Sequence, residues 1–135
     1  MTVAFACVWI ALTLPYLCAI IARAASGCFR LHHNRDPRAF LDNLQGLAKR
    51  AHNAQLNGFE TNPAFACAIL AAWLAGHVQA GVINLMAVAY VISRVLFITF
   101  YLADLHRLRS LAWLAGFGLI TALFGLAILP PGWTW

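Results

Sequence analysis

Residues 82–100 read VINLMAVAYVISRVLFITF: nineteen residues with a single charge, Arg94. The run is close to the ~20 apolar residues that cross a bilayer as a helix. A charge at that depth costs several kcal/mol, so it is expected to face the inside of a bundle and to mark a site. Phe97, Tyr101 and Asp104 follow at offsets of three, seven and ten, which puts them on the same helical face as Arg94.

Three more apolar runs surround this one. Residues 3–22 carry no charge, residues 61–78 form a second run, and residues 111–128 a fourth. With 63% hydrophobic and 10% charged residues and a mean hydropathy of +0.78, the 135-residue chain lacks the polar surface of a soluble domain. The reading is a single all-α membrane domain, an antiparallel bundle of four transmembrane helices at about 2–25, 37–75, 82–104 and 107–129. A cleaved signal peptide at the start is disfavoured. The run has no basic leader, Pro15 and Tyr16 interrupt it, and Arg23 follows it as a stop-transfer flank. Pro15 predicts a kink in the first helix. Asp36-Pro37 reads as an N-cap with proline at the first helical position, and Gly76 as a stop. Pro63 either kinks the second helix or marks a restart capped by Asn62. Pro130-Pro131-Gly132 ends the last helix, and Trp133 and Trp135 fit an interfacial anchor.

The net charge of +5 does not point to nucleic acid, because no recognition module accompanies it. Eight of the nine Lys and Arg residues lie between the first and second runs or between the third and fourth. Four crossings put both segments on one side, so the positive-inside rule makes them cytoplasmic and both termini external. Cys7, Cys18, Cys28 and Cys67 show no metal-ligand spacing and read as small buried hydrophobes; no metal site is expected. His32, His33, His52 and His77 read as residues without a chemical role, the first two in a solvated loop.

Depth counting brings distant residues together. At 1.5 Å per residue, Glu60 lies about 24 Å below the outer end of its helix and Arg94 about 18 Å below the outer end of the next; Asn57 and Tyr101 both fall near ~28 Å. An unpaired buried charge is far costlier than a paired one, so Glu60 and Arg94 are expected to pair, within one subunit or across an interface. Asn53, Asn57, Tyr101, Asp104, Arg107, Arg109 and Ser110 gather at the same end. A cationic cleft with a phenol and a hydroxyl suits an anionic ligand or a thiolate, since arginine offers a planar fork to carboxylates and a nearby cation stabilises a thiolate. No Ser-His-Asp set, zinc motif or phosphate loop is present.

At these residues the chain resembles a known family. Residues 50–63, RAHNAQLNGFETNP, match the R-A-x-x-A-x-x-N-x-x-E-x-x-P signature of the MAPEG family, membrane-associated proteins in eicosanoid and glutathione metabolism. Arg94 and Tyr101 resemble its R-x6-Y block, followed by Arg109-Ser110 and Trp113 in the last helix. The resemblance covers essentially the whole chain and is closest to the bacterial members. It implies a homotrimer in the inner membrane with glutathione as co-substrate, bound between subunits at the cytoplasmic end. It also implies transfer or peroxidase chemistry on lipophilic electrophiles or hydroperoxides taken from membrane lipid.

By that resemblance Asn53, Asn57, Glu60, Arg94, Tyr101, Arg109 and Arg23 are the glutathione-binding candidates. Arg109, with Ser110 and Tyr101, is the catalytic candidate for stabilising the thiolate. The chain departs from the family pattern in several places. Asn53 and Leu56 stand where characterised members carry arginine, Phe97 replaces a histidine and Trp113 a tyrosine, and the Tyr101–Arg109 spacing is one residue shorter than in some. These departures favour an alternative: a non-catalytic binding or scaffold protein that keeps the fold.

Overall fold

The computed structural model describes residues 2–30, 33 and 35–129. His32, Asn34, the Pro130-Pro131-Gly132 stop and the Trp133 and Trp135 anchors lie outside the described residues. The described residues form five helices and no strands: α1 (Thr2–Ser26), α2 (Pro37–Asp42), α3 (Gly46–Leu74), α4 (Ala80–Leu102) and α5 (His106–Ile128). α1 packs along α3, α4 along α5, and α3 also touches α4 and α5.

By length and composition α1, α4 and α5 are apolar enough to cross a membrane. α3 is long, at 29 residues, but its first half holds Lys49, Arg50, His52, Asn53, Gln55, Asn57 and Glu60, so only its second half is apolar. The large side chains turned outward include Trp9 (69% exposed), Leu85 (71%) and Ile128 (79%). An apolar exterior over apolar helices is that of an integral membrane protein.

The expected helix over 37–75 is two helices. Asp36 caps α2, its Oδ1 accepting from the Ala39 amide at 3.1 Å, with Pro37 next. The helix then stops after one and a half turns. Asn43 Nδ2 donates to the Ala39 carbonyl at 2.8 Å, and Gly46 takes φ +54°, a left-handed conformation that a side chain would oppose. Leu44 is thereby turned inward against Ala22, Ala48 and Ala51.

The two prolines are absorbed rather than disruptive. α1 continues through Pro15 and α3 through Pro63. Proline has no amide proton, so Pro15 leaves the Ala11 carbonyl without its helical donor. Asn62 Nδ2 supplies one from α3 at 2.6 Å, and Asn62 Oδ1 accepts from the Tyr90 hydroxyl at 3.0 Å. Asn62 therefore caps nothing; it joins three helices. Tyr90 stacks on Phe65 with ring centroids 3.9 Å apart.

Small residues line the helix contacts, as close backbone approach in a membrane requires. Ala4, Cys7 and Ala11 of α1 meet Ala68, Ile69 and Ala72 of α3 and Ile83 and Ala87 of α4 at the end where the chain begins. Asn84 Oδ1 accepts from the Ala4 amide at 3.1 Å, so α1 and α4 start side by side. At the opposite end, Arg50 Nε donates to the Leu102 carbonyl at 3.2 Å and Arg50 lies 3.7 Å from Asp104, whose φ is +62°. This contact ties the α4–α5 turn to α3.

The settings read for the cysteines and histidines hold in part. Cys7 and Cys18 are buried as expected, but Cys28 and Cys67 are exposed. His33 is half-buried; its Nδ1 accepts from the Arg30 amide at 3.0 Å and its ring lies on Phe40. His77 reaches the Leu126 carbonyl at 3.0 Å, tying the α3–α4 loop to the last turn of α5.

Candidate functional site

The basic end of the bundle holds a cavity of about 390 Å³ lined by Asn53, Asn57, Phe97, Tyr101, Arg109, Ser110 and Trp113. Each helix contributes through its own periodicity. Asn53 and Asn57 are one turn apart on α3, Phe97 and Tyr101 one turn apart on α4, and Arg109 and Trp113 one turn apart on α5. Arg109 and Ser110 sit in the opening turns of α5, where unpaired backbone amides give the helix its positive end and no acidic residue lies in the first turn. The Arg109 guanidinium lies over the Tyr101 ring, 4.6 Å from its centroid, and Tyr101 meets Phe97 edge-on at 5.4 Å. Cation–π contact holds Arg109 beside the cavity while leaving its planar fork open. Ser110 Oγ donates back to the His106 carbonyl at 3.0 Å, so its proton is engaged by its own helix.

Arg94 stands behind this wall. It is 3% exposed, with Nη1 donating to Asn57 Oδ1 and Thr61 Oγ1, both at 3.3 Å, and Nη2 reaching the Ala112 carbonyl at 3.5 Å. Its guanidinium lies 4.9 Å from the Phe97 centroid and 5.4 Å from that of Tyr90. Nε has no partner.

The expected Glu60–Arg94 pair does not form within the chain. Asn57 and Thr61, four apart, face Arg94; Glu60 is about 100° around α3 from Thr61 and is exposed. Among the described residues the sole ion pair is Arg50–Asp104. Arg23 is also apart from the cavity: its guanidinium caps the Phe29 ring at 5.4 Å, in a groove with Ile20, Ala24 and Gly27. Of the candidate residues, one chain thus brings together Asn53, Asn57, Tyr101, Arg109 and Ser110 around a single space, keeps Arg94 one layer behind, and leaves Glu60 and Arg23 elsewhere.

The family model described as the MAPEG family matches residues 3–129. The chain belongs to the MAPEG family. No curated protein and no solved structure matches it. Within this MAPEG chain the sequence missed Thr61, whose signal was its spacing of four from Asn57. It also missed the cavity-lining roles of Phe97 and Trp113, although Phe97 was placed on the Arg94 face and Trp113 beside Arg109-Ser110 in the last helix. No signal pointed to Ala112, since it contributes a backbone carbonyl. Arg50, part of the matched signature, acts here as a clamp on the α4–α5 turn rather than in the cavity.

Proposed function

We propose that this MAPEG protein is a membrane transferase or peroxidase that uses glutathione or a similar thiol against lipophilic electrophiles or hydroperoxides. The observation that carries the reading is the convergence of Arg109, Tyr101, Ser110, Asn53 and Asn57 on one cavity at the basic end of an apolar bundle. Arg109 and the α5 terminus provide a positive field that favours a bound thiolate over its thiol. The peptide part of the ligand offers carbonyls and carboxylates to Asn53 and Asn57. In transfer to an aryl halide the thiolate sulfur bonds to the ring carbon, the halide leaves with its electron pair, and the thiol proton goes to solvent. Field stabilisation of this kind is commonly worth about 3 kcal/mol of barrier.

Further parts of the reading follow from physical need. α3 serves as a fourth crossing, its polar half toward the cytoplasm. The basic loops lie on the cytoplasmic side of the inner membrane and both termini outside. Glu60 is exposed on α3, and a carboxylate turned to lipid is costly. A second copy of the chain covers it in a homotrimer, which also brings a neighbour's Arg23 toward the cavity. Trp113 stacks in parallel on Phe117, 5.3 Å away and half-exposed, giving a lipophilic substrate an aromatic path from the bilayer.

The rival is a binding or scaffold protein without thiol chemistry. Asn53 and Leu56 at positions basic in other members favour it, as does the engaged Ser110 hydroxyl. Detergent-purified protein with glutathione separates the two. Thiolate absorbance and conjugation of a generic aryl halide are expected, and both are expected to collapse in Arg109→Ala. No binding and no turnover in the parent protein removes the enzyme reading. Turnover that survives Arg109→Ala removes only the role given to Arg109.

A further inference from the structure

The seat of Arg94 depends on a side chain that is absent. α5 presents Gly116 to Arg94, and a Cβ at that position would stand 2.6 Å from Nη2, 3.2 Å from Cζ and 2.8 Å from Ser93 Oγ. All three distances lie inside van der Waals contact. The gap also opens the way to the Ala112 carbonyl, four residues earlier on α5, which Nη2 reaches at 3.5 Å. The obstructed atoms are the ends of side chains, not backbone. A methyl group at 116 therefore presses first on the guanidinium and the Ser93 hydroxyl.

What the guanidinium does next concerns the cavity. An arginine can only donate, so the Asn57 atom facing Nη1 at 3.3 Å is the carboxamide oxygen. That fixes the amide. Its oxygen is turned to Arg94, and its NH₂ group is left to meet whatever fills the cavity that Asn57 lines. If Arg94 moves, the carboxamide loses the contact that orients it. Every atom in this chain of contacts belongs to one subunit, so the arrangement does not depend on assembly.

We propose that Gly116 is a positioning residue: its bare Cα seats Arg94, and Arg94 holds Asn57 so that the cavity receives a hydrogen-bond acceptor of the ligand, a peptide carbonyl or carboxylate. The ligand half of this statement rests on the reading of the cavity as a thiol-peptide site.

The test compares Gly116→Ala with Gly118→Ala, a substitution on the same helix with nothing within 4 Å of the new methyl. Glutathione binding is followed by calorimetry on the detergent-purified protein, KM and kcat by conjugation, and the Asn57 side-chain amide by nitrogen-15 NMR, assigned through its loss in Asn57→Ala. Gly116→Ala is expected to weaken glutathione binding by about tenfold or more, as loss of a hydrogen bond to a charged group implies, with KM rising more than kcat falls. It is also expected to move the Asn57 amide resonances. Gly118→Ala does neither. In an Arg94→Gln background, where the shorter side chain no longer fills the gap, adding Gly116→Ala causes no further loss.

A Gly116→Ala protein with parental affinity and an unmoved Asn57 amide overturns the proposal. So does an equal loss in the Arg94→Gln background, which would make Gly116 a packing residue only. If the parent protein does not bind glutathione, the cavity reading fails. The Asn57 resonance then decides the seating by itself: movement in Gly116→Ala alone upholds it, and a stationary resonance refutes it.

Discussion

The buried polar groups around Asn62 and around Arg94 are built differently. Asn62, Tyr90 and the Ala11 carbonyl form a neutral set in which both ends of the carboxamide are engaged, at 2.6 and 3.0 Å. Arg94, Asn57, Thr61 and the Ala112 carbonyl form a charged set with longer contacts of 3.3–3.5 Å, an Nε without a partner and no carboxylate. The first is satisfied between three helices, although its Tyr90 ring also borders Arg94. The second opens, through Asn57, onto a cavity. A satisfied neutral network specifies a fold, whereas an under-satisfied charge is retained at a cost to stability and therefore points to a ligand. The difference separates what holds this chain together from what it does.

The contrast predicts opposite consequences for the two centres. Asn62→Ala leaves the Ala11 carbonyl and the Tyr90 hydroxyl without partners in an apolar surround. Interhelical hydrogen bonds in membranes are individually modest, so losing two should cost about 2 kcal/mol. Titration with a denaturing detergent should show that loss, while glutathione affinity corrected for the folded fraction stays near the parental value. A variant as stable as the parent would show that Asn62 does not offset the proline in α1.

Arg94→Leu should reverse the pattern. Replacing an under-partnered buried charge with an apolar side chain is often neutral or stabilising, so unfolding resistance should hold or rise by about 1 kcal/mol. Glutathione affinity should fall by about tenfold, because Asn57 loses its orienting donor. If Arg94→Leu instead unfolds the protein and spares affinity, the distinction between the two centres collapses.

These centres were not equally legible in the sequence. Arg94 stood out because a charge in an apolar run is rare, and counting helical rise from each outer end matched Glu60 with Arg94 and Asn57 with Tyr101. Depth alone does not give direction around a helix, and direction sent Arg94 to Asn57 and Thr61 rather than Glu60. The Asn62 centre was invisible. Its acceptor is a backbone carbonyl fifty-one residues away, exposed to bonding only because Pro15 lacks an amide proton. The all-α membrane character followed from apolar run lengths, but only α1, α4 and α5 are apolar along a full span, and the expected helix over 37–75 breaks at residues 43–45. There Gly46 takes a left-handed conformation, and α2 parts from α3.

A milder change tests the neutral centre from its other side. Tyr90→Phe keeps the ring stacked on Phe65 and removes only the hydroxyl that donates to Asn62. The expected cost is about 0.6 kcal/mol, the average for such bonds, with no change in ligand affinity. In an Asn62→Ala background the same substitution should cost nothing, since the hydroxyl has already lost its acceptor.

The smallest effect should come from Arg50→Ala, which joins the two regions' concerns at the edge of the cavity. Arg50 contributes a hydrogen bond to the Leu102 carbonyl and a 3.7 Å contact with an Asp104 that is 75% exposed. Solvent screens such a pair, so the stability loss should be about 0.5 kcal/mol or less, and smaller still at high salt. Its position gives it a second readout. Asp104 belongs to the turn that launches α5, and Arg109 lies within that helix's opening turns, so a looser clamp lets Arg109 drift from the Tyr101 ring. Turnover should therefore fall several-fold, an effect out of proportion to the stability change. A loss of turnover matched by an equal loss of folded protein would place Arg50 with the Asn62 centre, as architecture alone.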